Sequence, residues 1–101
     1  MKEATLIQNI RKYLATLPEC FFWKEHGGQY GTAGIPDIIA CHKGRFVALE
    51  AKAGKNKPTK LQAATIDKIR QAGGVAAVVY SVEDVKAVIS GMEAGHVPRS
   101  N

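Results

Sequence analysis

The feature that most constrains this chain is the run "DIIACHKGRFVALEAKA", residues 37 to 53, in which two apolar segments flank Lys43 and Gly44. That is the form of a two-residue β-hairpin, with glycine at a position that needs positive φ. A hairpin closed between His42 and Arg45 fixes the register: Cys41 faces Phe46, Ile39 faces Ala48, and Asp37 faces Glu50. Facing residues project from the same side of a sheet, and Lys52, two residues beyond Glu50, shares that side. Two carboxylates and one ammonium are therefore expected together at the end of the hairpin away from its turn. Like charges set opposite one another destabilise a sheet unless something positive lies between them, and a divalent cation would serve.

The rest of the sequence supplies a frame for this hairpin. Residues 3–17 repeat Leu6, Ile7, Ile10, Leu14 and Leu17 at helical spacing, with Pro18 as the expected stop. "CFFW" reads as a short strand and "KEHGGQYGTAGIP" as a glycine-rich connection. "KPTKLQAATIDKIRQAGG" reads as a helix with Thr59 and Gln62 as a capping box and Gly73 and Gly74 at its end. "VAAVVYS" is a strand of the kind covered on both faces, and "SVEDVKAVISGM" a last helix capped by Ser81, with Val82, Val85, Val88, Ile89 and Met92 inward. The order is αβββαβα: an α/β fold with a mixed four-stranded sheet flanked by helices. The hairpin implies an antiparallel pair and the later β-α-β unit a parallel one. Residues 1–92 form one domain, and 93–101 read as a loose tail.

Two inward-facing polar residues extend the charged group. Glu3 lies within about 40° of Ile7 and about 20° of Ile10 on the first helix, in the middle of the face that packs on the sheet. Gln62 lies within about 40° of Ile66 on the later helix. Each has a plainer reading: Glu3 as an acid placed for the helix dipole, Gln62 as the capping partner of Thr59, Asp37 as a turn residue after Pro36. Glu50 and Lys52 could equally line an exposed strand face. Their conjunction favours a single site.

The formal charge of +5 favours polyanionic partners without identifying one. No apolar run is long enough to span a membrane, and the N-terminus has no signal-peptide block, so the expectation is a protein that is not secreted and acts in the cytoplasm. Cys20 and Cys41 read as reduced core thiols, and His26, His42 and His96, without ligand spacing, as surface residues. The glycine-rich segment lacks the Gly-Lys-Ser/Thr of a phosphate loop, so no nucleotide cofactor is expected.

"GIPDIIA" followed by "VALEAKAG", with "LQAATIDKIRQAGG" and "VAAVVYSVEDV" after them, resembles the VRR-NUC (virus-type replication-repair nuclease) branch of the PD-(D/E)XK superfamily, over residues 3–90. The resemblance implies a restriction-endonuclease-like core, similar to that of Holliday-junction resolvases, and a phage-type DNA endonuclease acting on branched, flapped or four-way DNA. It implies catalytic roles for Glu3, Asp37, Glu50, Lys52 and Gln62. The corresponding ion is Mg²⁺, for which Mn²⁺ could substitute, held by Asp37, Glu50 and the Ala51 backbone carbonyl, with Glu3 as an outer or second-metal ligand. Lys24, Lys43, Arg45, Lys55, Lys57 and Lys60 are expected to flank the site and contact DNA phosphates. A homodimer is expected for cutting two strands, in bacteria or in a phage-infected host cell. The alternative is a non-catalytic nucleic-acid-binding module on the same fold.

Overall fold

The computed structural model describes residues 1–26 and 33–93. The middle of the expected glycine-rich connection and residues 94–101 of the expected tail, His96 included, lie outside the described residues; Glu93, expected in that tail, is instead the last residue of the final helix. The elements are α1 (Glu3–Leu14), β1 (Cys20–Lys24), β2 (Ile38–His42), β3 (Arg45–Ala51), α2 (Lys60–Gln71), β4 (Val75–Val79) and α3 (Val82–Glu93). This is the expected order. The strands lie side by side as β1-β2-β3-β4, antiparallel from β1 to β3 and parallel between β3 and β4.

The hairpin has the expected register, with Ile39 opposite Ala48 and Cys41 opposite Phe46. Lys43 and Gly44 both have positive φ, 51° and 80°, the conformation whose twist matches that of the flanking strands. The less favoured lysine is held there by its N–H, which donates to the Glu19 carbonyl at 2.8 Å.

Both faces of β3 are covered, which is why Val47 to Ala51 are buried without alternation. On one side α1 and α3 pack Leu6, Ile10, Leu14, Val85 and Ile89 against Ile38, Val47, Leu49, Val75 and Val79. On the other, α2 sets Ile66 against Ile39, Ala48 and Ala76. This second cluster is small. Phe21, Trp23 and Phe46 stay 69%, 45% and 46% exposed, so the far half of that face carries uncovered aromatic rings.

Helix α1 ends at Leu14, short of the expected Leu17. The Thr16 hydroxyl donates to the Tyr13 carbonyl at 2.7 Å, and the Leu17 N–H closes a tighter turn on Leu14 at 3.1 Å. Pro18 already disfavours helical backbone at Leu17, so these local bonds prevail. Leu17 still packs on the core. The capping box of α2 forms as expected, and Ser81 Oγ accepts from the Asp84 N–H at 3.1 Å to cap α3.

Two surface expectations are corrected. Cys41 is exposed rather than a core thiol, because its strand position faces the half of the sheet that α2 leaves open; Cys20 is half-buried. His42 is buried, at 1% exposure, because it follows Ile38 and Ala40 on the α1/α3 side. Its Nε2 shares a 3.2 Å hydrogen bond with Glu93 Oε2, while its Nδ1 is buried without a partner among the described residues. His26 is exposed, as expected.

Candidate active site

The site forms where β2 begins and β3 ends. Ile38 pairs with Leu49, which brings Asp37 alongside the end of β3; Asp37 Oδ2 accepts the Ala51 N–H at 2.9 Å, and its own carbonyl accepts the Glu25 N–H at 2.7 Å. Asp37 is thus fixed from both sides. The preceding loop reaches α2 through Gly34, at φ +83°, where an added Cβ would lie 2.8 Å from Leu61 Cγ and 2.9 Å from Thr65 Oγ1. Only glycine permits that approach.

Glu50 faces the α2 side of the sheet and is only 2% exposed. Its Oε2 lies 3.7 Å from Lys52 Nζ, and its Oε1 is buried with no hydrogen-bond partner among the described residues. Burial pushes its pKa up from 4.5 to about 7, helped by the Asp37 charge and by a hydrogen bond with Asp37 that the protonated form alone can make. Lys52 opposes the shift and Glu3 adds to it. A buried carboxyl next to another acid, with one oxygen unsatisfied, is poised either to keep a proton or to bind a cation.

The other expected members are placed less uniformly. Glu3, the first residue of α1, is half-buried, and its Oε2 accepts from Asn56 Nδ2 at 3.2 Å. Gln62 is half-buried too, but its Oε1 accepts the Thr59 N–H at 2.9 Å, so the capping box takes its oxygen and leaves its amide nitrogen outside the box. Among the described residues, no three His, Cys, Asp or Glu side chains group closely enough to hold one ion. The carboxylates that could hold an ion are instead those of Asp37 and Glu50, whose Oε1 is buried without a partner among the described residues. That suits a hard cation which keeps much of its water, as Mg²⁺ does.

The basic residues divide between the two ends of the sheet. Lys24 closes β1 opposite Ile38, one residue from Asp37, and exposed Lys55, Lys57 and Lys60 lie in the loop after β3 and at the start of α2. Lys43 and Arg45 do not flank the site. They lie at the turn end of the hairpin, about 17 Å from Glu50 along an extended strand. Lys43 is also engaged there, its Nζ 2.9 Å from Glu93 Oε2. The expectation failed on geometry: a hairpin that gathers Asp37 and Glu50 at its open end must carry its turn residues to the other.

Sequence reasoning missed Asn56, Tyr80 and the tight approach of Gly34. Gly34 belongs to the "GIPD" lead-in, but nothing in the sequence announces its contact with α2. Asn56 sits in a lysine-rich loop with no periodicity, and its partners are distant in sequence on either side, at Glu3 and Tyr80.

No family profile matches the chain, and no curated protein matches its sequence. Among solved structures, a protein described as a VRR_NUC domain matches with a TM-score of 0.74 and 23% identity, covering 89% of this chain and 96% of that one. The chain therefore has the fold of a VRR_NUC domain, in agreement with the order and sheet topology given above.

Proposed function

We propose that the chain is a metal-dependent DNA endonuclease that hydrolyses phosphodiester bonds in branched, flapped or four-way DNA. The observation that carries this reading is the pairing of Asp37 with a buried Glu50 whose Oε1 has no partner among the described residues, beside Lys52. A binding module has no use for two acids set against each other in a basic protein.

Asp37, Glu50 and the Ala51 carbonyl would hold Mg²⁺, with Glu3 as an outer ligand. When bound, the ion would polarise the scissile phosphate and acidify a water. Asp37 is oriented for this by the Ala51 N–H, and Glu50 is buried on β3 beside Val78 of β4, with Lys52 Nζ 3.7 Å from its Oε2. Lys52 carries its ammonium at the same place. Beside Glu50 Oε2, its part is to stabilise negative charge developing on the phosphate. Gln62 keeps its amide N–H₂ for a phosphate or water while its oxygen caps α2. Lys24, Lys55, Lys57 and Lys60 grip the backbone without reading sequence. The reading includes a homodimer, since one site cuts one strand, and a phage-type role in the cytoplasm of a bacterial or phage-infected host cell. Among the described residues no helix is long and apolar enough to cross a membrane.

The test is incubation of the purified protein with duplex, flapped and four-way DNA in Mg²⁺ or Mn²⁺, then in chelator. Cleavage of branched DNA that stops in chelator, and that Asp37→Ala and Lys52→Ala abolish, supports the reading. DNA binding without cleavage, or cleavage that survives both substitutions, replaces it with a non-catalytic binding module or a contaminant. A monomeric mass by sedimentation at micromolar concentration removes the dimer.

A further inference from the structure

Asn56 joins three elements at the rim of the site. Its amide nitrogen donates to Glu3 Oε2 at 3.2 Å, and its backbone carbonyl accepts the Tyr80 hydroxyl at 2.9 Å. Its own N–H donates to the Ala53 carbonyl at 3.1 Å, closing a turn in the loop between β3 and α2. The start of α1, that loop and the residue following β4 are thereby tied at one point. Lys55 and Lys57 lie on either side of Asn56 in sequence and are exposed. Glu3 is close enough to Glu50 for its charge to act there.

The chemistry of the tether suits an acid that must stay charged. A neutral amide orients a carboxylate without cancelling its charge, whereas an ammonium from Lys55 or Lys57 in the same place would neutralise it. The bond engages one Glu3 oxygen and leaves the other to a cation or its water shell. A glutamate at the first position of a helix, without such a donor, spreads over several rotamers, and ordering it would add to the free-energy cost of binding an ion.

We infer that Asn56 is a positioning residue: its amide holds the Glu3 carboxylate at the rim of the site, and its carbonyl, bonded to Tyr80, fixes the Lys55–Lys57 loop over the same rim. The purpose of this arrangement rests on the nuclease reading, but the coupling between Asn56 and Glu3 can be measured without catalysis.

The experiment compares native protein with Asn56→Ala, Glu3→Gln, the double variant and Tyr80→Phe, using Mn²⁺ binding by calorimetry without DNA and cleavage of flapped DNA over a range of Mg²⁺. One hydrogen bond to a carboxylate corresponds to about fivefold in affinity. Asn56→Ala is expected to weaken Mn²⁺ binding and raise the Mg²⁺ requirement by about that factor, with the double variant no worse than Glu3→Gln. Tyr80→Phe is expected to raise KM for DNA while leaving Mn²⁺ binding unchanged. Native-like Mn²⁺ binding by Asn56→Ala, or effects of Asn56→Ala and Glu3→Gln that simply multiply, overturns the inference while active native enzyme keeps the nuclease reading. A Tyr80→Phe loss of Mn²⁺ affinity equal to that of Asn56→Ala also overturns it, because the loop rather than the amide would then hold Glu3. Coupled Mn²⁺ binding in a protein that cuts no DNA keeps the tether and refutes the nuclease reading.

Discussion

Replacing Glu50 by glutamine removes an ionisable group from a buried site while keeping its shape, and so measures what the charge costs the fold. In the native protein the Glu50 carboxyl is pushed up from 4.5 to about 7, by burial first and then by Asp37. Between those values the folded state holds a proton that the unfolded chain has released. Metal-free stability therefore falls as pH rises through this window, and the penalty is complete above pH 7. The gap corresponds to about 3 kcal/mol. Glutamine carries no such penalty. In chelator at pH 8, Glu50→Gln is expected to be more stable than native by up to about 3 kcal/mol, on the order of 10 °C in Tm for a domain of this size. Near pH 4.5 the two proteins should agree much more closely. Urea unfolding followed by circular dichroism at several pH values gives the comparison, because groups that do not interact with Glu50 contribute equally to the two curves. Parallel curves, with the difference independent of pH from 5 to 8, would refute the claim that Glu50 is buried and ionises at a cost. The nuclease reading adds that saturating Mg²⁺ should stabilise the native protein at pH 8 and leave Glu50→Gln nearly unaffected.

Gly34→Ala should destabilise the protein by about 1–3 kcal/mol and depress cleavage, since φ +83° is strained for alanine and its Cβ would meet Leu61 and Thr65; thermal unfolding alongside the cleavage assay reads both. Thr59→Ala removes the acceptor for the Gln62 N–H and should cost about 1 kcal/mol, measured by urea unfolding. The double variant Lys55→Ala/Lys57→Ala should weaken DNA binding and lower the slope of log K against log salt by roughly 2, whereas Lys43→Ala, at the far end of the hairpin and paired with Glu93, should leave that slope unchanged.

The parts of this protein legible in sequence are those set by short-range rules. A two-residue turn admits one pairing, so the sequence around Lys43 and Gly44 already determined that Asp37 meets the end of β3 near Glu50. Helical periodicity and caps located α2 and α3, and the unbroken apolar run of β4 announced a strand covered on both faces. Tertiary structure decided whatever depends on how elements are laid over one another. Period alone showed that Cys41 and His42 face opposite sides, but only the placement of α2 left Cys41 exposed, while α1 and α3 buried His42 against Glu93. The burial that raises Glu50 requires the folded sheet around β3, since desolvation is a sum over neighbours brought in from distant parts of the chain. The bonds of Asn56 to Glu3 and Tyr80 join residues 53 and 24 positions apart. No local pattern encodes such a contact; it exists because the ends of α1 and β4 arrive at the same rim as the acids.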